Sequence, residues 1–422
     1  MSLVRIASIV SVAIATLTAM WFAWAFTAGM VMATGDPQQA YNRWHTDTAR
    51  TRLASQLVTD KPTPARAARA IRLGTTSLAR TPVDAEAARD VAFGQLASGN
   101  YAQARAIIRL SEGLSRRDLV AQTWLIEDRA AAGDIVGAMQ HYDRALRTVK
   151  ESRPILLPVL AQATDDPAVA AVLARRLASR PEWWSDFLGR FVAVGTSPVA
   201  FRLIADGLRL NPAVDEDRVR LGSIFARLAR LGKIAQARAL FDRFTRQREG
   251  FVVDGGFERD PGMLPFSWQL VEDTDRSAVR EPREGAHGTA LSIAGTAGGQ
   301  VARQLLALPP GRYILRGLSG GVLGGVVTPP LVSLACVHTS EDIGGTPEIV
   351  DVAFPVGAEP HHWAKAFTVP VGCAGQWLRI SSATNAGYTS DNPWIDDISI
   401  VPMVDIFPNN IEATNLGQRS IF

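Results

Sequence analysis

The chain is poor in the residues that most chemistry needs. Two cysteines and six histidines are spread over 422 residues. No metal-binding histidine spacing or G-x-x-x-x-G-K-[ST] phosphate cradle is present, and the G-x-S-x-G match at Gly317–Gly321 lies in a Gly-rich run that no convincing helix follows, as a nucleophile elbow requires. His361 and His362 are neighbours, but adjacent residues of a strand point to opposite faces and do not chelate one ion. With no complete catalytic constellation, the expectation is a protein that is not an enzyme. Charge removes a second class. The 44 basic and 41 acidic residues leave a net charge of +3, and no basic run is interleaved with aromatics as a nucleic-acid groove requires. DNA and RNA are therefore not expected partners.

A further absence is local. From Ile6 to Gly35, "IASIVSVAIATLTAMWFAWAFTAGMVMATG", there is no charged residue, and about 20 apolar residues in a helix cross a bilayer. Residues 4–34 are expected to form a single transmembrane anchor. The run exceeds the roughly 7–15 residues of a cleavable signal's apolar region, although Val31-Met32-Ala33 has the small-residue character of a cleavage site. Trp21 and Trp24 are expected to face lipid or a partner. Arg5 precedes the run while Arg43, Arg50, Arg52 and Lys61 follow it, so the positive-inside count does not orient the helix. Cys336 and Cys373 bear on the orientation. They fit one disulfide in an oxidising compartment, the alternative being two reduced thiols in a cytosolic domain. A bridge would contribute on the order of 3 kcal/mol in the chain-entropy model. It favours a bacterial inner-membrane protein with a single span and its bulk in the periplasm.

What is present comes in two styles. Residues 36–249 are rich in Ala, Leu and Arg punctuated by Pro and Gly, the composition of helices. "GNYAQAR" begins at Gly99, "GDIVGAM" at Gly133, 34 residues on, and "GKIAQAR" at Gly232, 99 further, or three steps of 33. Each Gly ends one helix, and a small residue follows five later, Ala104, Ala138 or Ala237, where a large side chain would hold paired helices apart. "LRLNPAVDEDRVRLGSIFARLARLGKIAQARALFDRF" sets the order out in full, with Pro212 opening the first helix, Leu221, Phe225 and Leu228 as its stripe, and Phe241 in the second. Pro82, Phe93 and Leu96 repeat it. These segments resemble the tetratricopeptide-repeat family, and a period near 34 is that family's. The resemblance implies an α-solenoid of five or six helix pairs that binds protein partners on its concave surface. Tyr101, Trp124, Tyr142, Trp183 and Trp184 either line that groove or fill the stacking core.

After Phe251 the language changes. Of 35 glycines, 21 lie beyond it, and short runs such as "ARQLLAL", "GRYILRGLSG", "PLVSLACV", "AKAFTVP", "QWLRISSA" and "PWIDDISIVP" alternate with turn residues, the signature of an all-β domain over 251–403. The opening "DGGFERDPGMLPFSWQL" and the closing "WIDDISIVP" resemble the entry and last strand of carbohydrate-binding modules of the galactose-binding-like β-sandwich group. The fold class expected is thus multidomain: a transmembrane helix, a tetratricopeptide-like α-solenoid and a C-terminal jelly-roll β-sandwich. The resemblance implies a structural calcium held by Glu258 with Asp396 or Asp397, hard oxygen ligands of the type that ion takes. The alternative is that Glu258 pairs with Arg259 while the two aspartates end a strand. A sugar site needs aromatic faces with polar neighbours, and the candidates are Trp363, His362 and Tyr388. Trp268, Trp377 and Trp394 occupy framework positions and are expected in the core. The Gly-rich 317–327 reads as a flexible connection, and 404–422 as an extended tail.

The expectation is therefore a non-catalytic envelope scaffold or adaptor that takes part in assembly or export of a cell-surface polysaccharide. The competing reading is a protein-interaction subunit of a membrane complex whose sandwich is purely structural. A broad apolar patch on the sandwich would favour that reading, an exposed aromatic strip the first.

Overall fold

A computed structural model describes residues 3–59, 62–246, 250–259, 262–271, 275–295, 298–323, 328–337, 348–383 and 392–403, with side chains in the first helix described from Thr16 onward, Phe26 excepted. Tyr388 and the tail 404–422 lie outside the described residues. The chain divides into two compact units, Met1–Phe191 and Val192–Phe422.

The first unit is all helical. It contains α1 (Leu3–Gly35), α2 (Pro37–Trp44), α3 (Asp47–Val58), α4 (Pro64–Arg80), α5 (Ala85–Ala97), α6 (Tyr101–Leu114), α7 (Leu119–Ala131), α8 (Ile135–Thr148), α9 (Arg153–Ala163) and α10 (Pro167–Leu177); α11 (Trp184–Val194) runs over the division. Among the described residues, Thr16–Gly35 of α1 is the one helix long and apolar enough to cross a membrane. Trp21 and Trp24 are exposed on it. Its C-terminal third is built into the unit, Ala33 packing with Ala40 and Ala49 and Trp24 lying edge-on to Trp44.

The repeated glycines mark one turn used three times. Gly99, Gly133 and Gly232 have φ of 80°, 73° and 71°, left-handed values that glycine adopts without strain. In each turn the next residue's amide returns to a carbonyl five residues back, Asn100 to Gln95, Asp134 to Arg129 and Lys233 to Leu228, closing the preceding helix as a Schellman motif. Ala104 and Ala237 are fully buried and Ala138 nearly so. The period also appears in ion pairs between successive helix pairs: Arg52–Glu86, Arg144–Glu112 and Arg153–Asp186 join residues 34, 32 and 33 apart. Pro82 and Pro212 stand three residues outside the helices they were expected to open, because those helices start at Ala85 and Asp215. Of the aromatics, Trp183 is fully buried, its Nε1 donating to Asp143 at 3.0 Å, while Tyr101 is exposed.

The second unit joins α12 (Pro198–Leu208), α13 (Asp215–Arg230) and α14 (Ile234–Thr245) to two five-stranded antiparallel sheets. One sheet runs β1 (Gln269–Leu270), β4 (Gly299–Leu306), β9 (Gln376–Ser382), β6 (Leu331–Cys336), β7 (Glu348–Ala353). The other runs β2 (Arg276–Pro282), β3 (Thr289–Gly295), β10 (Trp394–Pro402), β5 (Gly311–Gly320), β8 (His361–Val369). Their inner faces share a core that includes Leu291, Leu315, Phe367, Ile395, Val332 and Leu378. Two buried amides are satisfied inside it. Gln304 clamps Val253 at both backbone groups (2.8 and 2.7 Å), and Gln376 clamps Leu308. A disulfide joins Cys336 to Cys373. Phe266, ahead of β1, packs against Phe225 of α13 and Phe241 of α14, and Arg238 donates to the Phe251 and Gly250 carbonyls.

The Gly-rich stretch differs from expectation. Gly317 and Gly320 lie inside β5 because each makes room for an indole: a Cβ there would come within 2.5 Å of Trp363 and 2.7 Å of Trp394. Residues 324–327 lie outside the described residues.

Candidate functional site

The entry stretch explains the first cluster. Trp268 donates its Nε1 to the Asp254 carbonyl (2.9 Å) and packs on Phe257. Gly255 then lies so close to β10 that a Cβ would fall 1.9 Å from the Ile398 carbonyl oxygen, and its own carbonyl accepts the Ile398 amide at 3.0 Å. Only glycine fits. Next to it, Gly256 sits where Glu258, Asp396 and Asp397 converge, each with an atom within 3.8 Å of a Cβ placed there. The Glu258 carboxylate accepts the Thr289 amide (2.7 Å) and Asp396 accepts the amides of His287 (2.8 Å) and Asp397 (2.7 Å).

Asp396 and Asp397 offer hard oxygen atoms of the type calcium takes, and Glu258 stands beside them at Gly256. His287 is a ligand candidate that the sequence reading missed: its Nδ1 lies 2.5 Å from Asp397, and one donor atom each of His287, Asp396 and Asp397 falls within 4.8 Å of the others. Burial pushes the Asp396 carboxyl up from its ordinary value, against the two amides that favour its charged form. The hydrogen bond to Asp397 raises the His287 imidazole.

A cleft of about 600 Å³ opens on the outward face of the β2-β3-β10-β5-β8 sheet beside this cluster. Register builds it. Ser399 of β10, Arg316 of β5 and Ala364 of β8 are cross-strand neighbours, so a long cation stands between two small side chains, its Nε donating to the Ser399 hydroxyl at 2.9 Å. His362 and Asp397 complete the polar lining. Of the predicted sugar residues, His362 is exposed at this cleft. Trp363 is a correction. It borders the cleft, but its side chain is 9% exposed and belongs to the sandwich core, and a ring packed between sheets offers no face for a sugar to stack on. Its Nε1 is buried with no hydrogen-bond partner among the described residues.

The opposite sheet contradicts a second expectation. Trp377 is not a core residue; it lies half-buried on the outward face of β9 with the Arg303 guanidinium 4.6 Å from its ring centroid. Its neighbours Gln376 and Leu378 are the buried ones. The signal was present in "QWLRISSA", where period two puts Trp377, Arg379 and Ser381 on one face and Leu378 and Ile380 on the other.

No family model matches the chain, and no curated protein matches it. Among solved structures, the module TmCBM61 in complex with beta-1,4-galactotriose is 19% identical over 37% of this chain and 99% of its own, with a TM-score of 0.26. A family 16 carbohydrate-binding module is 18% identical over 36% and 99%, TM-score 0.26. The enzymatically active domain of bacteriophage CBA120 tailspike protein 4 is 15% identical over 36% of this chain, which covers 21% of that domain, TM-score 0.27. At these scores none identifies a ligand or a functional residue of this chain.

Proposed function

We propose that the protein is a non-catalytic scaffold anchored in the bacterial inner membrane with its bulk in the periplasm, and that its sandwich binds a saccharide of a cell-surface polysaccharide during assembly or export. The observation that carries this is the cleft on the β2-β3-β10-β5-β8 sheet, where Arg316, His362, Asp397 and Ser399 gather hydrogen-bonding groups over a rigid floor. Sugar hydroxyls need such groups held in place. Residues 36–249 act as tetratricopeptide-like repeats that hold a protein partner, a reading supported by the thrice-used glycine turn. Glu258, Asp396 and Asp397 hold a calcium ion whose role is structural, tying the entry stretch to β10. The test is a glycan panel offered to the full-length protein in detergent. Binding weakened by His362→Ala and Ser399→Ala supports the reading; no binding to any bacterial glycan ends it.

One observation favours a second reading, an accessory subunit of a membrane complex with a purely structural sandwich. The α13–α14 pair packs its aromatics against Phe266, and Ile234 packs against Gly375, where a Cβ would come within 2.4 Å. That is a sandwich used as a brace. Co-purification of stoichiometric membrane subunits, without saccharide, would decide for it.

A further inference from the structure

The outward face of the β1-β4-β9-β6-β7 sheet carries one polar row across all five strands. Register places Gln269 opposite Arg303, Arg303 opposite Arg379, Arg379 opposite Ser333, and Ser333, itself buried, opposite Asp351. Directly opposed residues share a face, with Cβ atoms about 4.5–5.5 Å apart, and like charges so placed destabilise the pair. The two central members are both guanidiniums. Neither takes part in an ion pair among the described residues, and Asp351, at the far edge of the row, lies beside the Lys365 ammonium at 3.4 Å.

These guanidiniums are not loose surface cations. Both are half-buried. Arg303 is fixed from two sides, stacked over Trp377 at 4.6 Å and donating from Nε to the Gln269 side-chain oxygen at 2.8 Å. Burial and the neighbouring Arg379 push the Arg303 guanidinium below its ordinary value, the response of a cation that lacks a counter-charge. Other partly buried arginines of the chain do have one: Arg89 has Asp90 and Asp118, and Arg153 has Asp186.

We infer that Arg303 and Arg379 together form a binding site for the carboxylate of an acidic sugar, a uronate, on the sheet opposite the cleft. Two adjacent forks of N–H donors match the planar oxygens of a carboxylate better than any neutral group. Gln269 and Ser381 border the pair with amide and hydroxyl groups for the sugar ring's own hydroxyls. The class of ligand rests on the saccharide reading above; the need for an anion rests on the arginine pair alone.

The test is titration calorimetry of the full-length protein in detergent with two oligomers of matched length, one of galacturonate and one of galactose. The expected result is tighter binding of the galacturonate oligomer, reduced about tenfold or more by Arg379→Gln and by Arg303→Gln, partly restored by Arg379→Lys, and weakened by salt. Thermal unfolding without ligand supplies the second readout: Arg379→Gln should leave the midpoint unchanged or raise it, because a like-charge contact is removed. A lowered midpoint would mean that Arg379 serves the fold, and overturns the inference. So does galacturonate binding that survives both substitutions, or is lost on Arg316→Gln instead; in those cases saccharide binding stands and this site does not. If neither oligomer nor any other glycan binds, both readings fall.

Discussion

The helical unit and the outward faces of the sandwich's sheets hold arginine differently, although elsewhere in the second unit arginines are paired too, Arg243 with Asp206 and Arg283 with Glu281. In the helical unit arginines close the structure: Arg89 reaches Asp90 at 3.0 Å and Asp118 at 2.9 Å, Arg144 reaches Glu112 at 2.8 Å, and Arg176 pairs with Asp143. Two of these pairs, Arg144–Glu112 and Arg176–Asp143, tie helices whose residues lie 32 and 33 apart in the chain. In the sandwich, Arg303, Arg316 and Arg379 have no carboxylate among the described residues and instead rest on an indole, a hydroxyl or each other. A charge neutralised inside the fold is already committed. One held in place without a counter-charge is available to a ligand, which is why the sandwich, despite its smaller share of arginine, is the better candidate for recognition.

Breaking a committed pair should have the largest effect. Asp143 is buried and receives both Trp183 Nε1 and Arg176, so Asp143→Ala leaves a buried donor and a cation without a partner. A loss of about 3–5 kcal/mol is expected, read as the shift of the urea or thermal midpoint by circular dichroism. In the sandwich the comparable handle is the carboxylate cluster. If calcium is held there, raising it to about 100 times its dissociation constant stabilises the unit by roughly 2.7 kcal/mol. Asp396→Asn should abolish that response, and a thermal midpoint indifferent to both calcium and chelator would remove the ion from the account.

A smaller effect sharpens the contrast through pH. Burial raises the Asp90 carboxyl from its ordinary 3.8 to about 7, against the pull of Arg89 and Ser55. The folded state therefore holds the proton more tightly than the unfolded chain. Its contribution is fully present below about pH 4 and is lost as pH rises to about 7, above which the loss is constant. Asn cannot ionise, so Asp90→Asn should match the wild type near pH 4 and exceed it at pH 8, by at most about 4 kcal/mol. Melting curves at both pH values check this, and a gap that shrinks with rising pH would contradict it. The smallest change is expected at Trp363. Phe at that position removes a buried Nε1 that has no partner among the described residues, so Trp363→Phe should shift the midpoint by less than about 1 kcal/mol.

The sequence was most legible where a pattern is repeated or local. The glycine turn at Gly99, Gly133 and Gly232 could be read because a left-handed φ calls for glycine and three copies share one spacing. Six strand runs coincide with β4, β5, β6, β8, β9 and β10. Edge strands such as β2, "RSAVREP", were not singled out, because an exposed edge needs no alternating apolar face. Local composition misled at Gly317 and Gly320, where glycine serves an indole brought in from another strand rather than flexibility. It also misled at Trp363 and Trp377, since aromatic identity says nothing about which face of a sheet is covered.

By itself the sequence determined that an apolar first helix and a helical stretch precede an antiparallel β part, because period and composition act over a few neighbouring residues; that the compact units divide at 191/192, with the last three helices on the side of the sheets, it did not. It also determined that Glu258 and the Asp396–Asp397 pair belong to the two ends of one domain. Only the tertiary structure decided that these carboxylates meet around Gly256 with His287, and that Ser399, Arg316 and Ala364 form one row. The same holds for Arg303 and Arg379, which lie side by side 76 residues apart in the chain. Those facts depend on strand order and register, which are set by how two sheets fill a common core and not by any short stretch of the chain.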